Sequence, residues 1–175
     1  MQKRRTLRRF LFDRISFMTL EGPGDSAEAN VRLRYRYLKQ ALQDHGVTLD
    51  SNTKVLEVGS GNGLMLKQFE NDGVKVVVGA DMRPRAEGDV FQVAAKIEHL
   101  PFADGSFDIV VSTQAFDGAV YPEQDQEKMG GEIVRVLKSD GLYIAFAEMM
   151  TDVPPGTYKL VVWHPYIRIR IEQSV

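Results

Sequence analysis

The apolar residues of this chain change period along its length, and the changes mark out its elements. Over residues 7–18, Leu7, Phe10, Leu11, Ile15 and Met18 fall near one helical face, and a Gly22-Pro23-Gly24 break follows. Ser26 reads as an N-cap for a second helix, in which Val31, Tyr35, Leu38 and Leu42 keep helical spacing up to Gly46. From Lys54 onward, short apolar runs alternate with helical patterns. The predicted strands are Val55–Val58, Val74–Ala80, Val90–Ala94, Asp108–Ser112 and Gly141–Ala147, with helices at Leu64–Asn71 and Asp125–Leu137. Strands apolar at nearly every position are covered on both faces, which predicts an α/β fold with a doubly wound, mostly parallel sheet. The tail departs from this rhythm. "YKLVVWHPYIRIRIE" reads as two strands around His164-Pro165, and Ile167, Ile169 and Ile171 alternate with charged residues. An antiparallel C-terminal hairpin closing the sheet edge is expected there.

Composition narrows the chemistry. A chain of 175 residues with 43% hydrophobic and 26% charged residues holds one domain with a full core. It contains no cysteine, which excludes thiolate catalysis, disulfides and cysteine-held metals. Three scattered histidines (His45, His99, His164) show no metal-ligand spacing, so no metal site is expected. The arginines at 8, 9 and 14 interrupt the N-terminal apolar residues, so no secretion signal is read and the cytoplasm is the expected location. Charge is uneven. Residues 1–45 carry ten Lys/Arg against five Asp/Glu, and the remainder twelve against nineteen. The expected organisation is a basic helical cap over residues 1–49 and a ligand-binding domain over 50–175, forming one unit. The basic arm 3–14 suits nucleic acid or a membrane surface as a partner; a solvated helix face is the plainer alternative.

The candidate site begins at "VLEVGSGNGL", where a strand runs into three glycines within five residues. Such a loop permits close backbone approach and is expected to turn amide N–H groups toward a ligand. The dinucleotide fingerprint needs glycine at position 64, which is Leu64, and the phosphate-loop lysine is absent. Glu57, two residues before Gly59, repels a pyrophosphate and favours a ligand carrying an ammonium or sulfonium charge. Asp81 follows the second strand directly, where a carboxylate can accept both hydroxyls of a ribose. S-adenosylmethionine satisfies both carboxylates.

Together "VLEVGSGNG", "GADMRP", "EHLPFADGSFDIVVS" and "EIVRVLKSDGLYIAFAE" resemble the class I S-adenosylmethionine-dependent methyltransferases, most closely the type 11 group typified by ubiquinone and menaquinone biosynthesis. The resemblance runs from about residue 53 to residue 148. It implies a Rossmann-like sheet of strand order 3-2-1-4-5-7-6 with the last strand antiparallel. It also implies that Glu57, Gly59, Ser60, Gly61 and Gly63 bind the methionine end of the cofactor. Asp81 would hold the ribose, and Met82 would lie against the adenine. Lys96, Ile97 and Glu98 would line the adenine edge, while Ser112, Thr113 and Gln114 would face the methyl group and acceptor. Arg32 or Tyr35 would close over the cofactor carboxylate.

The implied function is in-line methyl transfer to a small-molecule acceptor, with Gln114, Asp117, Tyr121 and Glu148 as the candidate catalytic residues. Phe102, Phe116, His99 and His164 read as packing or surface residues. "STQAF" stands where amino-group nucleic acid methyltransferases carry their tetrad, which favours a small acceptor. It is anionic if Arg32, Arg34 and Arg36 contribute, of which Arg32 and Arg36 share a face. Two alternatives stay open: a non-catalytic or partner-dependent binding module, and an enzyme using its basic arm for nucleic acid or membrane-associated substrates. An exposed edge strand such as Tyr166–Glu172 would allow a homodimer. The chain departs from the family at Lys96-Ile97, where Asp-Ala is usual. Lysine cannot accept the hydrogen bond that aspartate takes from the adenine amino group. Isothermal titration is therefore expected to give a cofactor dissociation constant above the submicromolar range; a submicromolar value would refute this role for position 96.

Overall fold

Four consecutive buried residues in a five-residue strand require cover on both faces, and the tertiary structure supplies it. The computed structural model describes residues 18–19, 27–44, 46–86, 88–113, 123–148 and 157–163. The strands are β1 (Met18–Thr19), β2 (Lys54–Val58), β3 (Val76–Asp81), β4 (Gln92–Ala94), β5 (Phe107–Thr113), β6 (Leu137–Glu148) and β7 (Thr157–Trp163). The helices are α1 (Ala27–Asp44), α2 (Leu64–Asn71) and α3 (Glu123–Val136). All strands join one sheet in the order β1-β7-β6-β5-β2-β3-β4. The five from β6 to β4 are parallel, in the order expected for the first five strands of the α/β unit. β2 lies at their centre, with Val55, Leu56, Glu57 and Val58 all buried.

Side chains alternate across the sheet, so neighbouring residues enter different cores. Val55, Ile109 and Val111 meet Tyr35, Leu38 and Leu42 of α1 and Met65, Leu66 and Phe69 of α2. Leu56, Val58 and Val110 meet Met129, Ile133 and Val136 of α3. On the first face the Tyr35 and Phe69 rings pack edge to face, 5.1 Å between centroids. The Tyr35 hydroxyl donates to Asp72 Oδ2 at 3.0 Å, which satisfies its one polar atom at the core boundary. Helix α1 therefore shares its core with α2 and the sheet.

The sheet edge differs from expectation. β7 pairs antiparallel with β6 along Tyr143–Glu148, and its other side at Thr157 and Tyr158 is taken by β1. The C-terminal hairpin around His164-Pro165 is not supported: its second strand lies outside the described residues, and β1 occupies that flank of β7. Met18, assigned above to a helical face, lies in β1. The backbone ladder of β7 outweighed a periodicity read over one short segment. The rest of the 7–18 stretch, Ser26 and His45 lie outside the described residues.

Gly79 decides how α2 and the loop before it seat on the sheet. It pairs with Glu57 across β2 and β3. A Cβ added there would lie 2.5 Å from Ser60 Oγ and 2.8 Å from Leu66 Cδ1. Gly79→Ala is accordingly expected to lower stability by about 1–3 kcal/mol, read from the midpoint of urea denaturation. An unchanged midpoint would show that the loop and Leu66 have another seat available.

Candidate functional site

The loop after β2 is built by internal hydrogen bonds. Ala80 carbonyl accepts from the amides of Gly59 (2.7 Å) and Ser60 (3.3 Å), and the Gly63 amide donates to the Ser60 carbonyl (2.8 Å). The Gly61 amide donates to Asp81 Oδ2 at 2.9 Å, and the Arg83 amide donates to Asp81 Oδ1 at 2.7 Å. The expected presentation of loop amides to a ligand is thus corrected: those of Gly59, Ser60, Gly61 and Gly63 are spent inside the protein. A loop whose donors face inward does not cradle a phosphate. This removes the second physical basis for a dinucleotide and leaves the buried Glu57 carboxyl as the distinguishing group.

The glycines divide the work. Gly63 has φ 78° and precedes α2, and an added Cβ would reach Val90 Cγ2 at 2.6 Å. Gly61 has φ 51°, yet an added Cβ there meets nothing within 4 Å. Gly63 is thus a packing glycine, and Gly61 faces open space. Ser60 is buried, and its Oγ accepts from Gln92 Nε2 at 2.9 Å, so its side chain serves β4 rather than the cleft. Gln92 also donates to the Gly61 carbonyl at 3.1 Å. Nothing in the sequence pattern singled out Gln92 or Gly79; only the pairing of β3 with β2 and β4 brings them under the loop.

Glu57 is the unusual group. It is 1% exposed, on the same face of β2 as Val55. Thr113 Oγ1, at the end of β5, donates to Glu57 Oε1 at 2.8 Å. Its other oxygen, Oε2, is buried and has no hydrogen-bond partner among the described residues. Burial pushes the carboxyl up from 4.5 to about 8. The Thr113 hydrogen bond opposes that rise, the Asp81 charge adds to it, and the Arg34 charge opposes it.

The phase of α1 explains which arginine acts here. Arg32 is exposed and pairs with Glu28 at 3.5 Å, and Tyr35 is committed to Asp72. Closure of Arg32 or Tyr35 over the cofactor carboxylate is therefore corrected. The α1 residue whose charge acts on Glu57 is Arg34, itself buried. Arg32 and Arg36, one turn apart, instead line an open groove of about 670 Å³ between α1 and α2, with Lys39 and Asp72. That groove includes none of Glu57, Gly61 or Asp81 in its lining, so it lies apart from the Glu57 cluster.

Adjacent residues at the end of β5 are separated by the same alternation. Thr113 meets Glu57, while Ser112 is fully buried on the opposite face, its Oγ 2.8 Å from the Tyr143 hydroxyl. Burial pushes Tyr143 up to about 12, against the pull of the Ser112 hydrogen bond. Ser112 therefore does not face the cleft, which corrects its assignment to the methyl group.

On the adenine side, Met82 is 59% exposed beside Asp81. Lys96 is exposed and forms an isolated bridge with His99, whereas Ile97 is buried in the α3-side core. Glu98 is partly buried between them. This loop is pinned by two residues that sequence reading missed. Glu132 Oε2 accepts from the Leu100 amide at 2.8 Å. Arg135 donates to the carbonyls of Leu100 (2.9 Å) and Phe102 (2.7 Å) and to Glu132 and Asp104. The sequence showed them only as polar positions of a helix. Gln114, Asp117 and Tyr121 lie outside the described residues, as does the side chain of Glu148. No metal-holding group of His, Asp or Glu occurs among the described residues, and no described helix is long and apolar enough to cross a membrane.

The Glu57 carboxyl has a stability signature. Between 4.5 and about 8 the folded protein holds a proton that the unfolded chain has lost, so stability falls as pH rises through that window. The full slope is about 1.4 kcal/mol per pH unit. Glu57→Gln carries no such proton. Its melting temperature relative to the parent is expected to climb from about pH 5 to about pH 8. A difference flat with pH would show that the carboxyl is ionised in the folded protein throughout.

The methyltransferase domain family matches residues 56–145. An uncharacterized methyltransferase of Mycobacterium sp. (strain JLS) is 33% identical over 103 residues, covering 55% of this chain and 39% of the relative. The chain thus spans about two-fifths of the length of that curated relative. The PH0226 protein of Pyrococcus horikoshii OT3 superposes with a TM-score of 0.56 at 24% identity, over 70% of this chain and 59% of the other. A chain of the Haloferax volcanii complex between the Trm112 methyltransferase activator and its methyltransferase gives 0.50 at 21% identity, over 70% and 60%. These structures share the fold. The match across residues 56–145, which takes in the Glu57 loop, Asp81 and the β5 end, places the chain in the family of S-adenosylmethionine-dependent methyltransferases.

Proposed function

We propose that this protein binds S-adenosylmethionine at the end of β2 and transfers its methyl group to a small-molecule acceptor. The observation that carries the reading is the buried Glu57 carboxyl, with one oxygen held by Thr113 and the other without a partner among the described residues. An orphaned buried carboxyl oxygen is costly unless a cation or donor meets it. The inward-turned loop amides offer nothing to an anion at the same place. The residues present therefore fit a cationic amino-acid end better than a pyrophosphate.

Bound S-adenosylmethionine supplies a methyl group made electrophilic by its sulfonium. The chain's own contribution is position. Glu57 would anchor the charged end and Arg34 would balance a carboxylate beside it. Asp81, already oriented by the amides of Gly61 and Arg83, keeps lone pairs for ribose hydroxyls. Exposed Met82 offers a flat apolar contact for adenine. Lys96, Ile97 and Glu98 would line the adenine edge, with the Ile97 side chain held in the α3-side core. Alignment is the main requirement of an in-line displacement, so a strong general base is needed only where the acceptor must lose a proton. Gln114, Asp117 and Tyr121 are the residues of this chain proposed for that side. The acceptor of the quinone-biosynthesis group, named by sequence resemblance, is one small molecule to try.

A second reading has a specific observation in its favour. The chain spans 39% of its mycobacterial relative, and a structural neighbour is held in complex with an activator. Under this reading the domain binds the cofactor but needs a partner for turnover, and the basic arm 3–14 is a candidate contact.

Isothermal titration and a labelled-methyl assay separate the two. S-adenosylmethionine is expected to bind the parent protein, and Asp81→Ala is expected to bind it at least tenfold more weakly, since about 1.4 kcal/mol separates each decade. Labelled methyl is expected to reach low-mass acceptors in a cell extract. Binding without labelled product would favour the partner-dependent module, and no binding at all would refute the cofactor assignment.

A further inference from the structure

We propose that Glu57 is a proton-exchanging anchor: it holds a proton in the ligand-free protein and releases it when a cationic group of the ligand pairs with Oε2. The proposal rests on the cofactor reading above and deepens it. Its basis is geometric. Glu57 sits 1% exposed at the middle of the sheet, with Oε1 accepting from Thr113 and Oε2 without a partner among the described residues. The groups acting on it come from three elements: Thr113 from β5, Asp81 from the end of β3, and Arg34 from α1. Helix α2 presents Met65, Leu66 and Phe69 to this core. Burial raises the carboxyl despite the Arg34 charge, which favours the protonated acid in the ligand-free protein.

The exchange balances without another reactant. The carboxyl O–H bond breaks heterolytically, the proton passes to a buffer base, and the carboxylate left behind pairs with the incoming cation. No bond of the ligand is made or broken. Thr113 is a positioning residue here. By holding Oε1, it leaves Oε2 as the oxygen that meets the ligand, and its hydrogen bond to the carboxylate keeps the acid strong enough to release its proton on binding.

Two consequences separate this from a carboxylate that is always ionised. Binding should release protons, and affinity should rise with pH below the carboxyl's midpoint. At about pH 6 the carboxyl is protonated and an α-ammonium is still charged, so binding should release about one proton per molecule. From about pH 6 to about pH 7 the dissociation constant should fall about tenfold, because the competent ionised fraction rises by that factor.

The experiment is isothermal titration of the full chain with S-adenosylmethionine and with S-adenosylhomocysteine, at about pH 6 in two buffers of different ionisation enthalpy. The heat difference counts protons. Release with both ligands identifies the ammonium as the group that displaces the proton. Release with S-adenosylmethionine alone identifies the sulfonium. Either supports the proposal. Binding without net proton release overturns it and leaves the cofactor reading intact, whereas failure of both ligands to bind overturns that reading and this proposal with it. Glu57→Gln should abolish the release, and Thr113→Val should extend it to higher pH. Should Glu57→Gln not fold, infrared difference spectra of the parent protein decide: a protonated-carboxyl band lost on binding is expected, and its absence refutes the proposal.

Discussion

A carboxyl placed in the most buried strand of the sheet is the constraint around which this domain is arranged. Burying an ionised group costs several kcal/mol even after relaxation, and a natural core position at residue 57 would be a valine or leucine. The neighbours of Glu57 are organised to make its presence tolerable. Thr113 satisfies one oxygen, Arg34 brings a positive charge through the apolar face of α1, and burial itself holds the proton on. The second oxygen has no partner among the described residues.

The glycine loop follows from that choice. Its amides bond to Ala80, Asp81 and Ser60 and so make a rigid rim rather than an anion cradle. The rim is seated by two features of β3 and β4. Gly79 lacks the Cβ that would strike Ser60 and Leu66, and Gln92 reaches Ser60 and Gly61 from the edge strand. Asp81 is bound to the loop and to the turn after β3, and each of its carboxylate oxygens accepts one backbone bond and retains capacity for another. On the opposite sheet face, Arg135 and Glu132 tie the Leu100–Phe102 turn to α3. That link fixes the loop carrying Lys96 and Ile97 to the core, independently of the Glu57 cluster.

Much of this was legible in residue order. The five parallel strands announced themselves as short apolar runs, because a strand covered on both faces has no polar side to show. The placement of Glu57 and Asp81 at strand ends followed from the same runs. Other features were hidden because they depend on contacts between distant segments. Arg34 was set apart from Arg32 and Arg36 by helical phase, but only packing showed that its face of α1 is the one turned to Glu57. Ser112 and Thr113 looked equivalent until the sheet put them on opposite faces. The edge was the least legible part. The alternating Ile/Arg tail read as a hairpin strand lies outside the described residues, and β1, from far away in sequence, pairs with Thr157 and Tyr158 of β7.

The sequence by itself determined the α/β architecture and the placement of Glu57 and Asp81 near the ends of adjacent parallel strands. Both depend on local pattern: hydrophobic runs with an acidic residue at or near the end of each. Only the tertiary structure decided that the loop amides face inward, that Arg34 rather than Arg32 or Tyr35 attends Glu57, and that Thr113 rather than Ser112 completes the cluster. Those outcomes depend on strand register and helix phase, which are set by packing across many residues and leave no mark on any single one.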